Sequence, residues 1–453
     1  MLVLPLAVPL ILYVVLSLPS FQKSAARCAE DELSSLLGTS VHLGEVTFSP
    51  FNRIVLKDVV VCDTAGVDAL TIGHLGAGVS IMESLWNERL TVSYVELIDV
   101  GVKLYKDSAN APLNIQPIID RFKSDGKKES AKFNLAVNLV VIRRSGLTYD
   151  VLDAPLPEEG HFDTNHIAVT GFRADISAPS ISNNLINVDV KRLGAEEHSG
   201  LYLKELTATV LMDSSRLEVN NFLVEIGDSR IDLNDMGIMS PLSPDFNLSG
   251  IEIASLETLP ETYVILSDFS PFVKGLEGID ERIDIDFEIG GRLDSISVRR
   301  FELDSHEREA RFHAHGLIEN LTRGGEYLAV DLRRVNLVAN VGDVLGFMAT
   351  PASGLLSLYD KLAPYGSLGD IDLLGDLSFT PQAIDFNGSL STSCGNLDID
   401  CGIAKPGKNS PLRIDGRVSS LSFNPSLVDP RLASITQLCF ETEADLTIEN
   451  KIY

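Results

Sequence analysis

From Val41 onward the chain alternates apolar and polar residues with the period of a β-strand. Ile283, Ile285, Phe287 and Ile289 alternate with Asp284, Asp286 and Glu288, and Phe133, Leu135, Val137, Leu139 and Val141 form a second run of the same period. Successive side chains of a strand point to opposite faces, so each run makes one aliphatic face and one wet face. That is the pattern of antiparallel strands covered on one side only. Ile283, Ile285, Phe287, Ile289, Phe133, Leu135, Val137 and Leu139 are therefore the candidate lining of a long apolar surface.

A finer pattern, apolar-x-apolar-x-x-apolar-x-apolar, recurs at 41–48, 54–61, 90–97, 167–174, 188–195, 201–208, 217–224, 231–238, 296–303 and 330–337. Its central pair is mostly polar: Lys57-Asp58, Lys191-Arg192, Lys204-Glu205, Asn220-Asn221, Arg299-Arg300, Arg333-Arg334. Strict alternation would flip the apolar face halfway along such a strand. One extra residue at the centre, a β-bulge, keeps both halves facing the same way and bends the strand. Two short strands joined by a tight turn would give the same string, and chance supplies some copies in so apolar a chain. The spacing between copies is irregular and matches no fixed-period solenoid.

Helical signals are few. Residues 21–37 place Ala25, Ala29, Leu33, Leu36 and Leu37 on one face, and Gly38 supplies the stop. This helix is expected over the opening of the sheet, near a membrane. Shorter helical interruptions are expected at 81–87, 115–122 and around 344–362, and the polar stretch 123–132 is the nearest thing to a linker.

Met1–Leu18 carries no charged side chain, and the first charge is Lys23. That length suits a short membrane-spanning helix, which tolerates Pro5 and Pro9 better than a soluble helix would. A cleaved signal peptide ending at Ser24-Ala25-Ala26 is the rival reading, and an uncleaved anchor is the one expected here. Lys23 and Arg27 follow the segment and nothing basic precedes it. By the positive-inside rule these charges put the following side in the cytoplasm, and the expectation here is instead that basic residues upstream of the present start reverse that orientation.

Charge narrows the partners. The 453 residues are 45 % hydrophobic but carry a net charge of −27, so binding to a phosphate backbone is not expected. Instead, the acidity keeps an apolar-rich surface soluble. Cys28, Cys62, Cys394, Cys401 and Cys439 are odd in number and lack C-x-x-C spacing, so they read as small buried residues. Cys394 and Cys401, seven apart, would face opposite sides of one straight strand.

Chemistry is sparse. His313 and His315 would share a strand face, but two histidines make half a metal site, and no spaced partner is evident. Acidic runs such as Asp284–Asp286 are spread over many strands and read as a solvated face. No G-x-S-x-G, H-E-x-x-H, P-loop or dinucleotide motif occurs. Asn247, Asn320 and Asn387 open glycosylation sequons, and the single Trp86 reads as a core residue of a short helix. No catalytic, cofactor or metal site is expected, and the expectation is a protein that is not an enzyme.

The segment LPSFQKSAARCAEDELSSLLGTSVHLGEVTFSPFNRIVLKDVVVCDTAG (18–66) is followed by IMESLWNERLTVSYVELIDVGVKLYKD (81–107) and LNIQPIIDRFK (113–123). Together these resemble the amino-terminal region of the AsmA-like family, its TamB branch in particular. DSSRLEVNNFLVEIGDSRIDL (213–233) and IGGRLDSISVRRFELDSHEREARFHAHGLIENL (289–321) are similar to it in texture. The resemblance implies an inner-membrane anchor and a periplasmic, taco-shaped sheet with an apolar concave face that carries phospholipid toward the outer membrane. It also implies an outer-membrane β-barrel partner, met through a region beyond Tyr453, and a role in outer-membrane protein assembly or secretion.

The expected fold is mainly β: an N-terminal transmembrane helix, then an elongated, curved antiparallel β-sheet stack with a few short helices. The expected segments are an anchor at 1–20, a helix-plus-β cap at 21–123, groove repeats at 124–343, a helical interruption at 344–365 and further strands at 366–453. Periodicity alone does not separate an open groove from the filled core of a β-sandwich. Two functions follow from the alternatives. One is a lipid-conducting bridge between membranes. The other is an assembly factor that templates outer-membrane proteins by β-augmentation.

Overall fold

A computed structural model of the chain describes residues 18–49, 53–79, 90–124, 134–182, 185–213, 216–239, 251–273, 275–305, 307–348, 363–405, 407, 410–428 and 430–448. Residues 1–17 of the expected anchor, the helix expected at 81–87 with Trp86, most of the polar stretch 123–132, Phe133, Asn247 and residues 349–362 lie outside them. The fold is mainly β, with 22 strands assigned to one hydrogen-bonded sheet and few helices. Two compact units divide the chain: Met1–Ser214 with Asn220–Gly227, and Ser215–Val219 with Asp228–Tyr453.

The first unit opens with helix α1 (Pro19–Leu37). Its sequence contains no β-branched residue, Pro19 sits in the first turn, and Gly38 ends it at φ +72°. Strands β1 (Val41–Ser49), β2 (Arg53–Cys62), β3 (Asp68–Val79) and β4 (Leu90–Lys106) then follow as an antiparallel meander. Ala25, Ala26, Ala29, Leu33 and Leu37 of α1 pack on Leu43, Val46, Val59 and Ile72 in one core cluster. Leu36, expected in that stripe, is exposed instead, one position off the 26–29–33–37 line that meets the sheet. The helix also covers the edge of β1: the N–H groups of Val41 and Leu43 donate to Ser34 Oγ (3.0 Å) and Glu30 Oε1 (2.7 Å).

One pairing departs from the antiparallel expectation. Strand β5 (Asn134–Val151) runs parallel to β4. The chain reaches it through helix α2 (Gln116–Ser124), and parallel neighbours require a crossover of this kind. Arg121 of α2 donates to the Ser35 carbonyl (2.8 Å) and so caps α1. Strands β6 (His166–Ser182), β7 (Leu185–Glu197) and β8 (Tyr202–Asp213) extend the ladder antiparallel.

Strand β9 (Arg216–Ile226) spans the division between the units. The second unit continues with β10 (Ser229–Leu233), β11 (Met236–Met239), β12 (Glu252–Glu257), β13 (Tyr263–Ile265) and β14 (Arg282–Arg292). A meander then runs through β15 (Ser295–Ser305), β16 (Ala310–Glu319) and β17 (Ala329–Asn340). Helix α3 (Val341–Met348) intervenes before β18 (Asp370–Thr380), β19 (Ala383–Thr392), β20 (Gly395–Ala404), β21 (Leu412–Phe423) and β22 (Leu438–Ile448).

The polar pairs sit inside continuous strands, as the bulge reading requires. The register slips by one where Lys204 and Glu205 stand opposite Gly194, where Arg299 and Arg300 stand opposite His315, and where Arg333 and Arg334 pass β18. Asp58, Gly171, Asn221 and Arg334, each the second member of a central pair, hold positive φ between +48° and +60°. In β1–β5 the irregularities line up across neighbouring strands at Gly44, Asp58, Gly73, Asp99 and Arg144, and the ladder stays in register on both sides. A Cβ at Gly44 would lie 2.9 Å from that of Asp58, and one at Gly73 would lie 3.1 Å from that of Asp99, so this crease needs glycine on alternate strands. The crease turns Leu43 with Val46, Leu56 with Val59, and Ile72 with Leu75 onto the same face.

Candidate functional site

Directly paired residues of neighbouring strands project from the same face, so register converts strand patterns into rows. In the second unit one row runs Ile285, Leu303, Phe312, Leu337, Leu373, Leu390 and Leu397 across β14–β20. Another, beside it, runs Ile296, Ile318, Val330, Phe379, Ile384, Ile403, Ile414 and Leu446 across β15–β22. Ile289, Val298, Gly316, Leu332, Leu377, Phe386 and Cys401 make a third between them. Phe287 pairs with Phe301, whose ring meets Phe312 edge-on at 6.1 Å. All four β14 candidates, Ile283, Ile285, Phe287 and Ile289, therefore reach one apolar face.

None of those four is buried, although each is partly shielded by its neighbours along the row. Exposure rises toward the last strands: Ile384 and Ile403 are each 42 % exposed and Leu446 is 53 % exposed. A closed sandwich core would leave such side chains almost no accessible surface.

The opposite face is ionic. Asp284, Asp286, Glu288, Glu302 and Asp304 occupy the alternate positions, and the bulge arginines clamp Asp286 and Glu288. Arg300 reaches Glu257 (2.9 Å) and Asp286 (3.0 Å), and Arg299 reaches Glu288 (2.8 Å). The side chain of Arg333 contacts Asp331 (2.8 Å) and Asp376 (3.2 Å), and the backbone N–H of Arg334 donates to Asp376 (3.0 Å). The guanidinium of Arg282 lies 3.8 Å from the Tyr263 ring centre. The arginine pairs thus have a role that the string alone does not disclose: the bulges at Arg299-Arg300 and Arg333-Arg334 carry charge to the acid face while keeping the flanking apolar residues on the other.

In the first unit, equivalent rows run Val46, Leu56, Leu75, Leu97, Ile142, Ala174, Leu193 and Leu206 across β1–β8, and Phe48, Ile54, Ala77, Val95, Val140, Ile176, Val190 and Ala208 beside it. Of the candidates there, Val137 is buried and pairs with Val92 and Ala178, and Leu135 pairs with Leu90 and Ile181. Leu139 falls in a register slip between Val137 and Val140, so the simple alternation 135–137–139 does not persist. Phe133 lies outside the described residues. The bulges at Asp99 and Arg144 are absent from the recurrent pattern above. The first overlaps the 90–97 copy, and in the second Ser145 stands where an apolar residue is required.

Other polar groups that could suggest chemistry serve the fold instead. Asp63, buried at the β2–β3 turn, accepts from the Ala65 and Val67 N–H groups (2.9 Å each) and from the Tyr105 hydroxyl (2.7 Å). Burial raises its pKa, and these bonds outweigh burial and hold the carboxyl below its ordinary range. His313 contacts Glu302 (2.9 Å), and no group of three or more His, Cys, Asp or Glu is placed to hold a metal ion among the described residues. The five cysteines form no disulfide. Cys62 and Cys394 are buried, Cys28 and Cys439 are exposed, and burial raises the pKa of Cys394 and Cys401. Cys394 precedes β20, so the two do not share a strand. Among the described residues no helix is long and apolar enough to cross a membrane. Comparison with protein-family models, curated proteins and solved structures finds no match to this chain.

Proposed function

We propose that this chain is a groove-type lipid carrier: a membrane-anchored, non-catalytic protein of the cell envelope. Its apolar face forms a curved trough along which phospholipid tails slide between an inner and an outer membrane. The observation that carries this reading is the set of apolar rows running over seven or eight strands of the second unit, in which most large side chains keep accessible surface and only Ile296 and Val298, on β15, are buried. Each methylene of a lipid tail laid on such a row gains ~0.8 kcal/mol. Aliphatic side chains offer no hydrogen bond to fix a tail in one place, so binding and sliding are compatible. The acid face keeps the sheet soluble beside its greasy side. The resemblance to the AsmA-like family supports the same reading, with the bulk of the chain in the periplasm and an outer-membrane β-barrel as a further partner.

The test is a charge placed on a row. Ile285→Asp keeps its carboxylate hydrated at a partly exposed position, so the protein stays folded, while lipid crosslinked at this site drops and the outer-membrane barrier weakens. Phe287→Asp controls for stability and moves the melting midpoint little. Unfolding of both variants would make the face a packed core, and folded variants with normal lipid transfer would remove the groove as the path.

A further inference from the structure

A cleft of about 510 Å³ lies between α1 and β1, lined by Gln22, Lys23, Ala26, Arg27, Glu30 and Val46 among others. Lys23 and Arg27 are one helical turn apart, so both ammonium and guanidinium groups border the same opening. In a chain of net charge −27, Arg53, Lys57, Arg143 and Arg144 of the same unit are paired with acids, but among the described residues neither Lys23 nor Arg27 has a side-chain hydrogen-bond or ion-pair partner. The two acids of the cleft are already engaged: Glu30 accepts from the Leu43 N–H (2.7 Å), and Glu45 pairs with Lys57 (2.9 Å). Val46, which lines the cleft and is itself buried against α1, is the first member of the apolar row that continues through the partly exposed Leu56, Leu75 and Leu97 to Leu206.

We infer that this cleft is a loading site for one glycerophospholipid, with Lys23 and Arg27 holding the phosphodiester of the headgroup where the apolar row begins. The inference rests on the lipid-carrier reading above. The chemistry is complementary at both ends. A phosphodiester is a delocalised anion suited to guanidinium and ammonium donors, and the acyl chains require the dry row beside them. Both cations are exposed, so they take up an anion without the cost of breaking an internal pair.

The experiment uses the full chain with a photoreactive benzoylphenylalanine in place of Gln22 or of Ile285, offered radiolabelled phosphatidylglycerol in vesicles or as a monomeric short-chain form. Both positions are expected to be labelled. The double variant Lys23→Gln, Arg27→Gln should lower labelling at 22 by tenfold or more and reduce labelling at 285 with it, whereas Lys23→Arg preserves both. Lys103→Gln, an exposed cation on β4, controls for net charge and should change neither. Unchanged labelling at 22 in the double variant overturns the loading site while leaving the groove reading intact. A parent chain that labels at 22 but never at 285 counts against the groove reading instead. If the double variant loses sedimentation with vesicles but binds the monomeric lipid as before, the two cations contact a bilayer surface and the inference fails. Inorganic phosphate that protects position 22 as well as the lipid does would make it a simple anion site and would overturn the lipid assignment.

Discussion

Strands β1–β3 and strands β18–β22 carry the same kind of apolar pattern and meet opposite fates. Under α1, Leu43, Val46, Val59 and Ile72 are buried in one cluster with alanines and leucines of the helix. On β19–β22 the corresponding row positions Ile384, Ile403 and Leu446 stay 42 %, 42 % and 53 % exposed. The helix makes the difference. A sheet face becomes a core only where a second layer sits on it, and each large aliphatic residue so covered gains about 1.5–3 kcal/mol over leaving it in water. The same pattern therefore serves as foundation in one place and as accessible surface in the other.

The sharpest way to break that comparison is to put the same charge in both places. Val59→Asp buries a carboxylate under α1 and should destabilise the first unit by ~3 kcal/mol or more, while Ile403→Asp should cost less than ~1 kcal/mol. Hydrogen exchange resolved by strand checks both, and equal losses would mean that the rows of β18–β22 are covered after all.

Next in size are the glycines, which test whether backbone approach matters as much as covering. Gly375 faces Gly388 across β18 and β19, and a Cβ there would lie 2.5 Å from the Asn387 carbonyl oxygen. Gly375→Ala should therefore cost about 1–3 kcal/mol even on the uncovered face, comparable with Gly44→Ala in the crease beneath α1. Chemical denaturation of each variant measures it.

A smaller, pH-dependent effect belongs to the first unit alone. Glu197 is buried at the end of β7. Burial raises its pKa, but bonds from the Ser199 hydroxyl, the Ala168 N–H (3.0 Å), the Ser199 N–H (2.8 Å) and His198 outweigh burial and bring it down to about 2 from the usual 4.5. A depressed carboxyl pKa stabilises the fold above the unfolded value. That contribution is complete above about pH 4.5 and is lost as pH falls toward and through about 2. Acid titration of exchange in β6–β8 should show this loss, and Glu197→Gln should flatten it.

The smallest effect concerns the bulges. Arg334 holds φ +48°, a conformation that strains a residue with a Cβ. Arg334→Gly should change stability by less than ~1 kcal/mol, since relieved strain and the greater freedom of the unfolded chain nearly cancel. A large loss would show that the guanidinium, and not the backbone, holds this bulge.

Much of this was legible in the string. Residues 21–37 read as a helix stopped by Gly38, and the helix runs Pro19–Leu37. The doubled polar positions read as bulges, and register slips or positive φ mark them at Lys204-Glu205, Arg299-Arg300, Asn221 and Arg334. The exposure of Leu36, the slip at Leu139 and the parallel pairing of β4 with β5 were not legible. Each depends on which segment, distant in sequence, comes to lie alongside.

Local spacing of apolar and polar residues determined which positions share a face and where a strand must bend, because side-chain direction follows from backbone geometry within a few residues. The registers that join Ile285 to Leu397 through five intervening strands, the arginine clamps on the acid face and the covering of β1–β3 by α1 were decided only in the tertiary structure. Burial and ion pairing are properties of neighbours in space, and a strand pattern carries no term for what lies above it.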